Sequence, residues 1–448
     1  MPSGTADLRI PGLRPLAIAA QEPEEWRRVM ERLHATVFLR SEGTVVTVGA
    51  PQRAEGALLD TCREVVRRFD RFYGDAVRAY FDRPALRGEF LVNPLLAPLI
   101  EIDCEARAHT PLARLDCVLG ADGSVRVIEI NSVGVNLLHL RSLLYLVRGL
   151  WRAGLRDAAA ELDTMASAMI AAFDRHYRQH QDRPRARPTL GALTPHGWMR
   201  ATHLLFRDAF RRAGWDYVFG GPDALDVSAG GVMLAGQPVD MLWADFFFYM
   251  AYQEARYSQT RFPSAIGEYS ATPAQAASLL GDARFLDHLR SRRVISISPA
   301  TSYLALPKSL LSWIHDAERP VAEREWLAGH VARTFSARDR RRGVLTRERA
   351  RADREQLLVK PCQYGGSHGV QLGQAMSDAE WTEALDRLWD DDTWVVQEYL
   401  PPVRAADGGF VSLGLASFDG LLGGITLRTA PAQVVSARDS SFVPVVVA

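Results

Sequence analysis

The stretch RLDCVLGADGSVRVIEINSVGVN, residues 114–136, is the strongest predictor of this chain's fold class. Apolar residues alternate along both sides of a Gly-Ala-Asp-Gly-Ser turn, which has the residue types of a β-hairpin loop. Asp116, Glu129 and Asn131 are the polar exceptions. Because residues two apart on a strand share a face, Glu129 and Asn131 point to the same side, and Asp116 can lie beside them on the partner strand. We therefore expect three oxygen ligands to converge.

Two carboxylates and an amide oxygen are ligands that Mg²⁺ prefers, and Mg²⁺ usually completes its shell with water and a substrate phosphate. The ligand set Asp116, Glu129 and Asn131 therefore predicts magnesium with ATP as its companion. A surface hairpin with ordinary exposed polar residues is the alternative, since a bare Glu-x-Asn occurs often by chance.

The composition excludes several classes of protein. The chain has 448 residues, of which 47% are hydrophobic and 24% charged, which is usual for a globular protein of two or three domains. Its formal net charge is zero, so there is no general attraction to nucleic acid or to an anionic membrane. The opening MPSGTADLRIPG lacks the features of a signal peptide, and no apolar run is long enough to span a bilayer. Four cysteines without C-x-x-C spacing argue against a zinc site. We expect a cytoplasmic enzyme without nucleic-acid or membrane partners.

The use of lysine is unusual. Only Lys308 and Lys360 are lysines, so 53 − 2 = 51 of the basic residues are arginine. In such a chain a lysine is expected where a compact ammonium charge is needed and a planar fork does not fit. Chance survival of two surface lysines is the alternative. Lys308 follows a proline and begins a predicted amphipathic helix, where the macrodipole disfavours a cation, so a nucleotide phosphate is expected nearby.

The second lysine lies in LLVKPCQYGGSHGVQLG, residues 357–373. An apolar strand brings Lys360 to a turn with Gly365, Gly366 and Gly369, whose backbone N–H groups can approach phosphate oxygens closely, and Tyr364 precedes these glycines. The stretch is not a P-loop, because the lysine comes before the glycines.

Three later features complete the set of candidates. The strand in TWVVQEYLPP ends in Gln397, Glu398 and Tyr399 and is either a nucleotide-binding segment or an ordinary core strand. Arg428, near a glycine pair, offers a bidentate fork to a carboxylate or phosphate. The mixed-charge run at 332–356 lacks interleaved aromatic residues, so we expect a solvated segment rather than a nucleic-acid site.

The chain divides into three predicted parts with an overall α/β (α+β) fold. Residues 1–185 form an N-terminal scaffold with the hairpin, and the Pro- and Arg-rich RQHQDRPRARP marks their end. Residues 186–300 alternate short strands and helices, which predicts a small doubly wound substrate lobe. Asp245, at a strand end among aromatic residues, is a candidate contact to a substrate amine. Residues 301–448 form the nucleotide-binding region, with a Gly-rich lid at about 355–402.

The order Arg-x-Asp, turn, Glu-x-Asn resembles the metal-binding segment of the ATP-grasp superfamily, as in D-alanine:D-alanine ligases and glutathione synthetases. The resemblance implies that Asp116, Glu129 and Asn131 hold two Mg²⁺ ions against the ATP phosphates. It also implies that Arg114 steadies the acyl phosphate and the tetrahedral species.

The same resemblance extends to the later stretches. It implies that the glycine turn covers the phosphates and that a lysine at the place of Lys308 contacts ATP. The strand ending at Gln397 and Glu398 becomes a hinge whose backbone reads adenine while a carboxylate takes the ribose hydroxyls. Arg428 is similar to a late arginine of glutathione synthetases that touches the peptide substrate, and Asn136 is a further candidate substrate contact.

The order of the motifs along the chain resembles one branch of this superfamily. The hairpin precedes both lysines, as in the circularly permuted branch that contains eukaryotic glutathione synthetases, whereas most ATP-grasp enzymes have the reverse order. The chain departs from that family at three positions. Tyr364 replaces a metal-binding glutamate, Ala244 a substrate-binding arginine and Ala430 a lysine. These departures argue against γ-glutamylcysteine as the substrate.

The resemblance implies an ATP-dependent carboxylate-amine ligase that makes an amide or peptide bond through an acyl phosphate and releases ADP and phosphate. Its partners would be a small-molecule carboxylate and a small-molecule amine, and a homodimer is common by base rate. Two alternatives remain: an ATP-dependent small-molecule kinase on the same fold, and a nucleotide-binding regulator without turnover.

Overall fold

The computed structural model has a mixed α/β fold, as predicted. The residues that it describes are 10, 12–16, 24, 28, 47–48, 51–102, 112–133, 137–194, 200–244, 247–248, 273–363, 367, 369–405, 408–435 and 440–447. The chain forms two compact units. Unit 1 comprises Met1–Leu91, Arg114–Asn131 and Leu304–Ala448, and unit 2 comprises Val92–Ala113 and Ser132–Tyr303. The predicted three-part division into 1–185, 186–300 and 301–448 stays a prediction.

The strands are numbered in chain order. They are β1 Leu13–Pro15, β2 Thr47–Val48, β3 Gln52–Ala54, β4 Leu112–Leu119, β5 Val125–Asn131, β6 Thr189–Leu193, β7 Asp216–Gly220, β8 Leu225–Ser228, β9 Gly231–Leu234, β10 Gln237–Pro238, β11 Met241–Trp243, β12 Ile295–Ser296, β13 Thr334–Phe335, β14 Leu357–Pro361, β15 Gln371–Leu372, β16 Trp394–Glu398, β17 Phe410–Phe418, β18 Leu421–Ala430 and β19 Ser441–Val446.

The α-helices are numbered in the same way. They are α1 Gly56–Asp82, α2 Ala97–Ile102, α3 Leu137–Ala153, α4 Arg156–Leu162, α5 Thr164–His180, α6 Arg200–Arg212, α7 Pro273–Gly281, α8 Ala283–Arg290, α9 Arg324–Gly329, α10 Ala337–Arg341, α11 Arg347–Ala352 and α12 Asp378–Leu388. The 3₁₀ helices are Pro84–Phe90, Pro94–Leu96, Pro222–Ala224, Ala300–Ala305, Lys308–His315, Arg354–Gln356 and Gly373–Ala375.

The largest sheet lies in unit 1 and has the strand order β1-β3-β19-β18-β17-β4-β5, with β2 paired to β19. The predicted hairpin is present as β4 and β5, at one end of this order, and the predicted antiparallel C-terminal strands are β17, β18 and β19. Every residue of β17 is buried, which explains its nearly continuous apolar sequence. The long helix α1 contacts β17, β18 and β5 through apolar residues at helical spacing, such as Val65, Phe69 and Phe72.

A second sheet of unit 1 has the order β13-β16-β14-β15. Its strand β16 pairs antiparallel with β13 on one edge and β14 on the other, so it is central. Helix α12 begins with a capping box between Ser377 and Glu380, and its buried residues pack with Val359 and Trp394 of the sheet. Arg340 is buried here and donates hydrogen bonds to five backbone carbonyls.

Unit 2 contains a four-stranded parallel sheet with the order β12-β11-β6-β7. Helix α6 connects β6 to β7, so the alternation of strand and helix corresponds to parallel pairing, as the sequence indicated. A small antiparallel sheet, β10-β9-β8, follows β7. In the described part of the chain, no helix is both long enough and apolar enough to cross a bilayer.

One helix differs from its prediction. Lys308–His315 is a 3₁₀ helix and not the expected amphipathic α-helix. The N–H of Lys308 donates to the carbonyl oxygen of Cys362, and the hydroxyl of Ser312 donates to the carbonyl oxygen of Ser309. The bond within Ser309–Ser312 stabilises the tight turn locally. The bond to Cys362, the residue after β14, holds Lys308 next to that strand.

Candidate functional site

The hairpin β4–β5 places the predicted metal ligands together. Asp116 lies directly opposite Glu129, and Arg114 lies directly opposite Asn131. Directly opposed residues of an antiparallel pair have neighbouring Cβ atoms on the same face. The four side chains therefore form a compact polar group on one face of the sheet of unit 1.

A β-bulge at Ile128 makes this arrangement possible. The partner of Asp116 is Glu129 but the partner of Cys117 is Val127, so Ile128 is an extra residue in β5. Because of the bulge, Val127 faces the buried side together with Cys117, whereas Glu129 faces the opposite side. It also frees the carbonyl oxygen of Ile128, which accepts hydrogen bonds from Lys360 Nζ at 2.8 Å and Gln397 Nε2 at 3.3 Å.

Both lysines of the chain meet the hairpin. Lys308 Nζ lies 2.9 Å from Glu129 Oε1, and Lys360 Nζ binds the neighbouring carbonyl of Ile128. Each lysine is only 4% exposed. The structure therefore brings together Glu129, Lys308 and Lys360 from three separate segments of unit 1.

Two arginines clamp Asp116. Arg114 donates to it twice, from Nε at 2.5 Å and from Nη2 at 2.9 Å, and Arg428 Nη2 of β18 lies 3.3 Å from Asp116 Oδ2. Burial opposes the charge of Arg114, but Asp116 outweighs this effect and holds the pKa of Arg114 above its ordinary value. Burial together with Arg114 lowers the pKa of Arg428, although Asp116 opposes this shift. Arg428 is thus the more weakly held of the two.

A glycine provides the space for this clamp. A Cβ at Gly414 of β17 would lie 2.5 Å from Thr426 Oγ1 and 3.1 Å from Arg114 Cδ. Real Cβ atoms essentially never lie 2.5 Å from another heavy atom, so a side chain at this position would force Thr426 to move and would crowd Arg114.

The group of side chains has an excess of positive charge. Asp116 and Glu129 contribute two negative charges, and four cations face them, so four minus two leaves an excess of two when all are ionised; the cations are Arg114, Lys308, Lys360 and Arg428. Burial, with Lys308 as a further cause, lowers the pKa of Lys360 to about 7, although Glu129 and Asp116 raise it. A buried site with this balance favours an anionic ligand.

The same face holds polar atoms that the fold itself does not satisfy. Within the described part of the chain, Asn131 Nδ2, Ser412 Oγ and Arg428 Nε are buried and have no hydrogen-bond partner. Ser412 of β17 is the direct partner of Arg428 in the sheet. Unsatisfied buried donors cost free energy, so acceptor atoms placed beside these three groups would be stabilised.

The donor set has the chemistry that a divalent cation needs, but its two carboxylates are already paired with lysine and arginine side chains. Among the described residues, no group of three or more His, Cys, Asp or Glu side chains suitable for a metal occurs. The candidate set is two carboxylates, Asp116 and Glu129, with the amide of Asn131, which is a type of set that Mg²⁺ accepts when phosphate completes its shell.

The predicted hinge has other partners in this structure. The Gln397 side chain donates to Thr334 Oγ1 at 2.8 Å and to the carbonyl oxygen of Ile128, and Glu398 binds Arg126 at 2.8 and 3.1 Å. The N–H groups of Glu398 and Tyr399 donate to the carbonyl oxygens of Arg333 and Gln356. These two amides therefore have backbone partners within unit 1, and the role of this segment in binding adenine stays a prediction.

Some predicted residues lie outside the described part of the chain. They are Tyr364, Gly365, Gly366, Asn136 and Asp245. Gly369 is described, with a φ of +74° and a Cβ position 3.0 Å from Pro361 Cγ, so a side chain there would have a strained backbone angle and would crowd Pro361.

Sequence reasoning missed Ser412 and Gly414, which lie in the stretch FVSLGLASF. A serine and a glycine in a nearly continuous apolar strand are a signal of close approach or of a polar contact, and this signal was present. The bulge at Ile128 had a weaker signal in the sequence. In a regular strand Val125, Val127 and Glu129 would share one face, although the two valines are apolar and the glutamate is charged.

Comparison with known proteins gives a distant likeness. No family model matches the sequence, and no curated protein matches it. Among solved structures, the chain is similar to a crystal structure from Methylobacillus flagellatus KT described as "Putative gamma-glutamylcysteine synthetase". The TM-score is 0.41 and the identity 12%, over 81% of this chain and 87% of that chain.

Proposed function

We propose that this protein is an ATP-dependent ligase that joins a carboxylate of amino-acid or peptide type to an amine and releases ADP and phosphate. We also propose that unit 1 is a circularly permuted ATP-grasp fold in which the hairpin β4–β5 supplies the metal ligands. The order of the stretches supports this proposal, because the hairpin precedes Lys308 and Lys360 along the chain.

The observation that carries the proposal is the position of the two lysines. A chain with 51 arginines has lysine only at 308 and 360, and both ammonium groups are buried against the hairpin, at Glu129 and at the carbonyl of Ile128. A compact ammonium group is suited to a phosphate oxygen, and the excess of positive charge around Asp116 and Glu129 is suited to a triphosphate.

In the proposed reaction, a carboxylate oxygen of the substrate attacks the γ-phosphorus of ATP, and ADP leaves. The amine then attacks the acyl carbon, phosphate leaves, and the amine loses a proton. Lys308 and Lys360 neutralise charge on the phosphates, while Arg114 and Arg428 stabilise the oxyanion at the acyl carbon. Mg²⁺ held by Asp116, Glu129 and Asn131 would supply further charge neutralisation at the transferred phosphoryl group.

The remaining contribution of the chain is positioning and exclusion of water. The clamp of Arg114 on Asp116 orients both side chains before substrate arrives, which is the kind of preorganisation that lowers a barrier. The predicted glycine turn around Gly365 and Gly366 would cover the acyl phosphate and protect it from hydrolysis.

One assay tests the proposal. The protein is incubated with ATP and Mg²⁺ and with pooled N-acetyl amino acids as carboxylates, pooled amino-acid amides as amines, or both pools together, and ADP and phosphate are followed separately. Release of both products only when a carboxylate and an amine are present is the expected result. ADP without phosphate would indicate a kinase, and neither product would indicate a regulator without turnover, so either result would overturn the ligase.

A pair of variants connects the assay to the site. Glu129→Gln should lower the rate of ADP formation by about 10² or more, because the carboxylate is placed where charge changes in the transition state. Glu325→Gln is the matched control, since Glu325 is an exposed acid in the first turn of α9. Equal rates for the two variants would remove Glu129 from the active site.

A further inference from the structure

Both carboxylates of the proposed metal site are already paired with cations of the chain itself. Lys308 Nζ is 2.9 Å from Glu129 Oε1, while Arg114 and Arg428 hold Asp116. The side chains of Lys308, Asp116 and Arg428 are almost fully buried. These pairs are therefore little screened by solvent, unlike most surface ion pairs.

A divalent cation must compete with these pairs. Mg²⁺ requires ligand oxygens at about 2.1 Å in near-octahedral geometry, which Glu129 does not offer freely while an ammonium group is bound to it. A dication next to Lys308 would also repel the buried ammonium strongly. Separating Lys308 from Glu129 is costly unless another anion takes the place of the carboxylate.

We propose that Lys308 and Arg428 are internal counter-ions that close the metal site in the nucleotide-free protein, and that a polyphosphate opens it by drawing Lys308 away from Glu129. This inference rests on the proposed function. The nucleotide then creates the metal site, so a divalent cation binds weakly alone and tightly together with a nucleoside triphosphate. Lys308 repels the metal ion and attracts the phosphates, so binding of the nucleotide should strengthen binding of the metal.

Geometry distinguishes the two arginines on Asp116. Arg114 makes two short contacts with the carboxylate and stays in place, whereas Arg428 makes one contact of 3.3 Å and its Nε has no partner among the described residues. Arg428 is therefore the arginine that leaves Asp116 when a cation arrives, and its fork then faces Ser412, the neighbouring residue on β17.

The test measures binding of Mn²⁺, a spectroscopic substitute for Mg²⁺, by electron paramagnetic resonance of the free ion, without nucleotide. Replacing Lys308 with glutamine frees Glu129, so Lys308→Gln should bind Mn²⁺ at least about tenfold more tightly than the wild type. The same variant should bind a fluorescent ATP analogue about tenfold or more weakly, because it has lost a phosphate contact. Opposite changes in the two affinities are the expected signature.

Three variants serve as controls. Lys308→Arg keeps a positive charge beside Glu129 and should bind Mn²⁺ less tightly than Lys308→Gln. Lys308→Gln combined with Glu129→Gln should lose the gain, because the freed carboxylate is gone. Arg187→Gln breaks a surface ion pair with Asp216 in unit 2 and should change neither affinity.

The outcomes separate the inference from the proposed function. If the wild type binds the ATP analogue but Lys308→Gln binds Mn²⁺ no more tightly, the counter-ion role is wrong and the ligase remains. If the wild type binds no ATP analogue with or without Mn²⁺, the proposed function itself fails. Circular dichroism checks folding. If Lys308→Gln does not fold, Arg428→Gln tests the same idea through Asp116, and an unchanged Mn²⁺ affinity there would overturn it.

Discussion

Lys308 Nζ, which is almost fully buried, forms an ion pair at 2.9 Å with Glu129 Oε1 of a segment that lies far away in the sequence. The pair joins a 3₁₀ helix to the hairpin β4–β5, and the Lys308 backbone is at the same time bonded to the end of the strand that carries Lys360. Through these two contacts Lys308 connects the three segments that the proposed ATP site requires.

Gly414 is expected to be essential for the arginine clamp. Gly414→Ala would push its Cβ against Thr426 and the Arg114 side chain, so the free energy of unfolding should fall by about 1–3 kcal/mol, as in other overpacked cores. Urea denaturation measures this change. Gly329→Ala is the control, because nothing lies within 4 Å of its Cβ position. Equal stability of the two variants would contradict the close packing of Thr426 and Arg114 around Gly414.

Ser412 is expected to bind the carboxylate substrate together with Arg428. Its buried hydroxyl has no partner within the described residues and lies beside Arg428 in the sheet. Ser412→Ala should raise the KM for the carboxylate about tenfold and leave the KM for ATP unchanged, since one hydrogen bond to a charged group is worth about 1.5–3 kcal/mol. Ser417→Ala, on the same strand, is the control. A change in the KM for ATP alone would place Ser412 elsewhere in the site.

Nucleotide affinity is expected to depend on pH through Lys360. Burial lowers the pKa of Lys360 to about 7, and a bound phosphate raises it, because an anion favours the charged amine. Affinity should therefore be full below pH 7 and fall as pH rises above 7, by up to about tenfold per pH unit. Titration of a fluorescent ATP analogue with Mg²⁺ measures this, and Lys360→Gln should flatten the profile above pH 7. A wild-type affinity independent of pH would contradict the account.

His203 is expected to make unit 2 sensitive to acid. Burial lowers the pKa of His203 from 6.5 to about 3, and its Nδ1 lies 2.7 Å from the Tyr217 hydroxyl. Between pH 6.5 and about pH 3 this histidine is protonated in the unfolded chain and neutral in the folded one. The free energy of unfolding therefore falls as pH decreases, by about 2 kcal/mol between pH 7 and pH 5. His203→Phe keeps the aromatic packing and should lose this part of the pH dependence in denaturation experiments. Identical slopes for wild type and variant would contradict it.

The sequence predicts the local parts of the site and the fold class. The hairpin, its two carboxylates on one face, the C-terminal antiparallel strands and the parallel strands of unit 2 all follow from alternation and turn residues. These features depend on neighbours within a few residues or on simple strand periodicity, which a single sequence contains.

The partners of the site residues could not be predicted in this way. Whether Asp116 faces a metal or Arg428 depends on how β18 lies relative to β4, and whether Glu398 is open to a ribose depends on Arg126. The bulge at Ile128 is stabilised by Lys360 and Gln397 from distant strands. Such contacts arise from tertiary packing, which overrides local preference.

The most direct test of the central claim uses the scarcity of lysine. An acyl-phosphate derivative of ATP transfers its acyl group to lysine amines that lie next to bound phosphates, and this chain has only Lys308 and Lys360. After reaction and digestion, mass spectrometry should find the acyl group on one or both of these lysines, and excess ATP with Mg²⁺ should prevent the labelling. Labelling confined to the N-terminal amine, or labelling of the lysines that ATP does not reduce, would contradict the account.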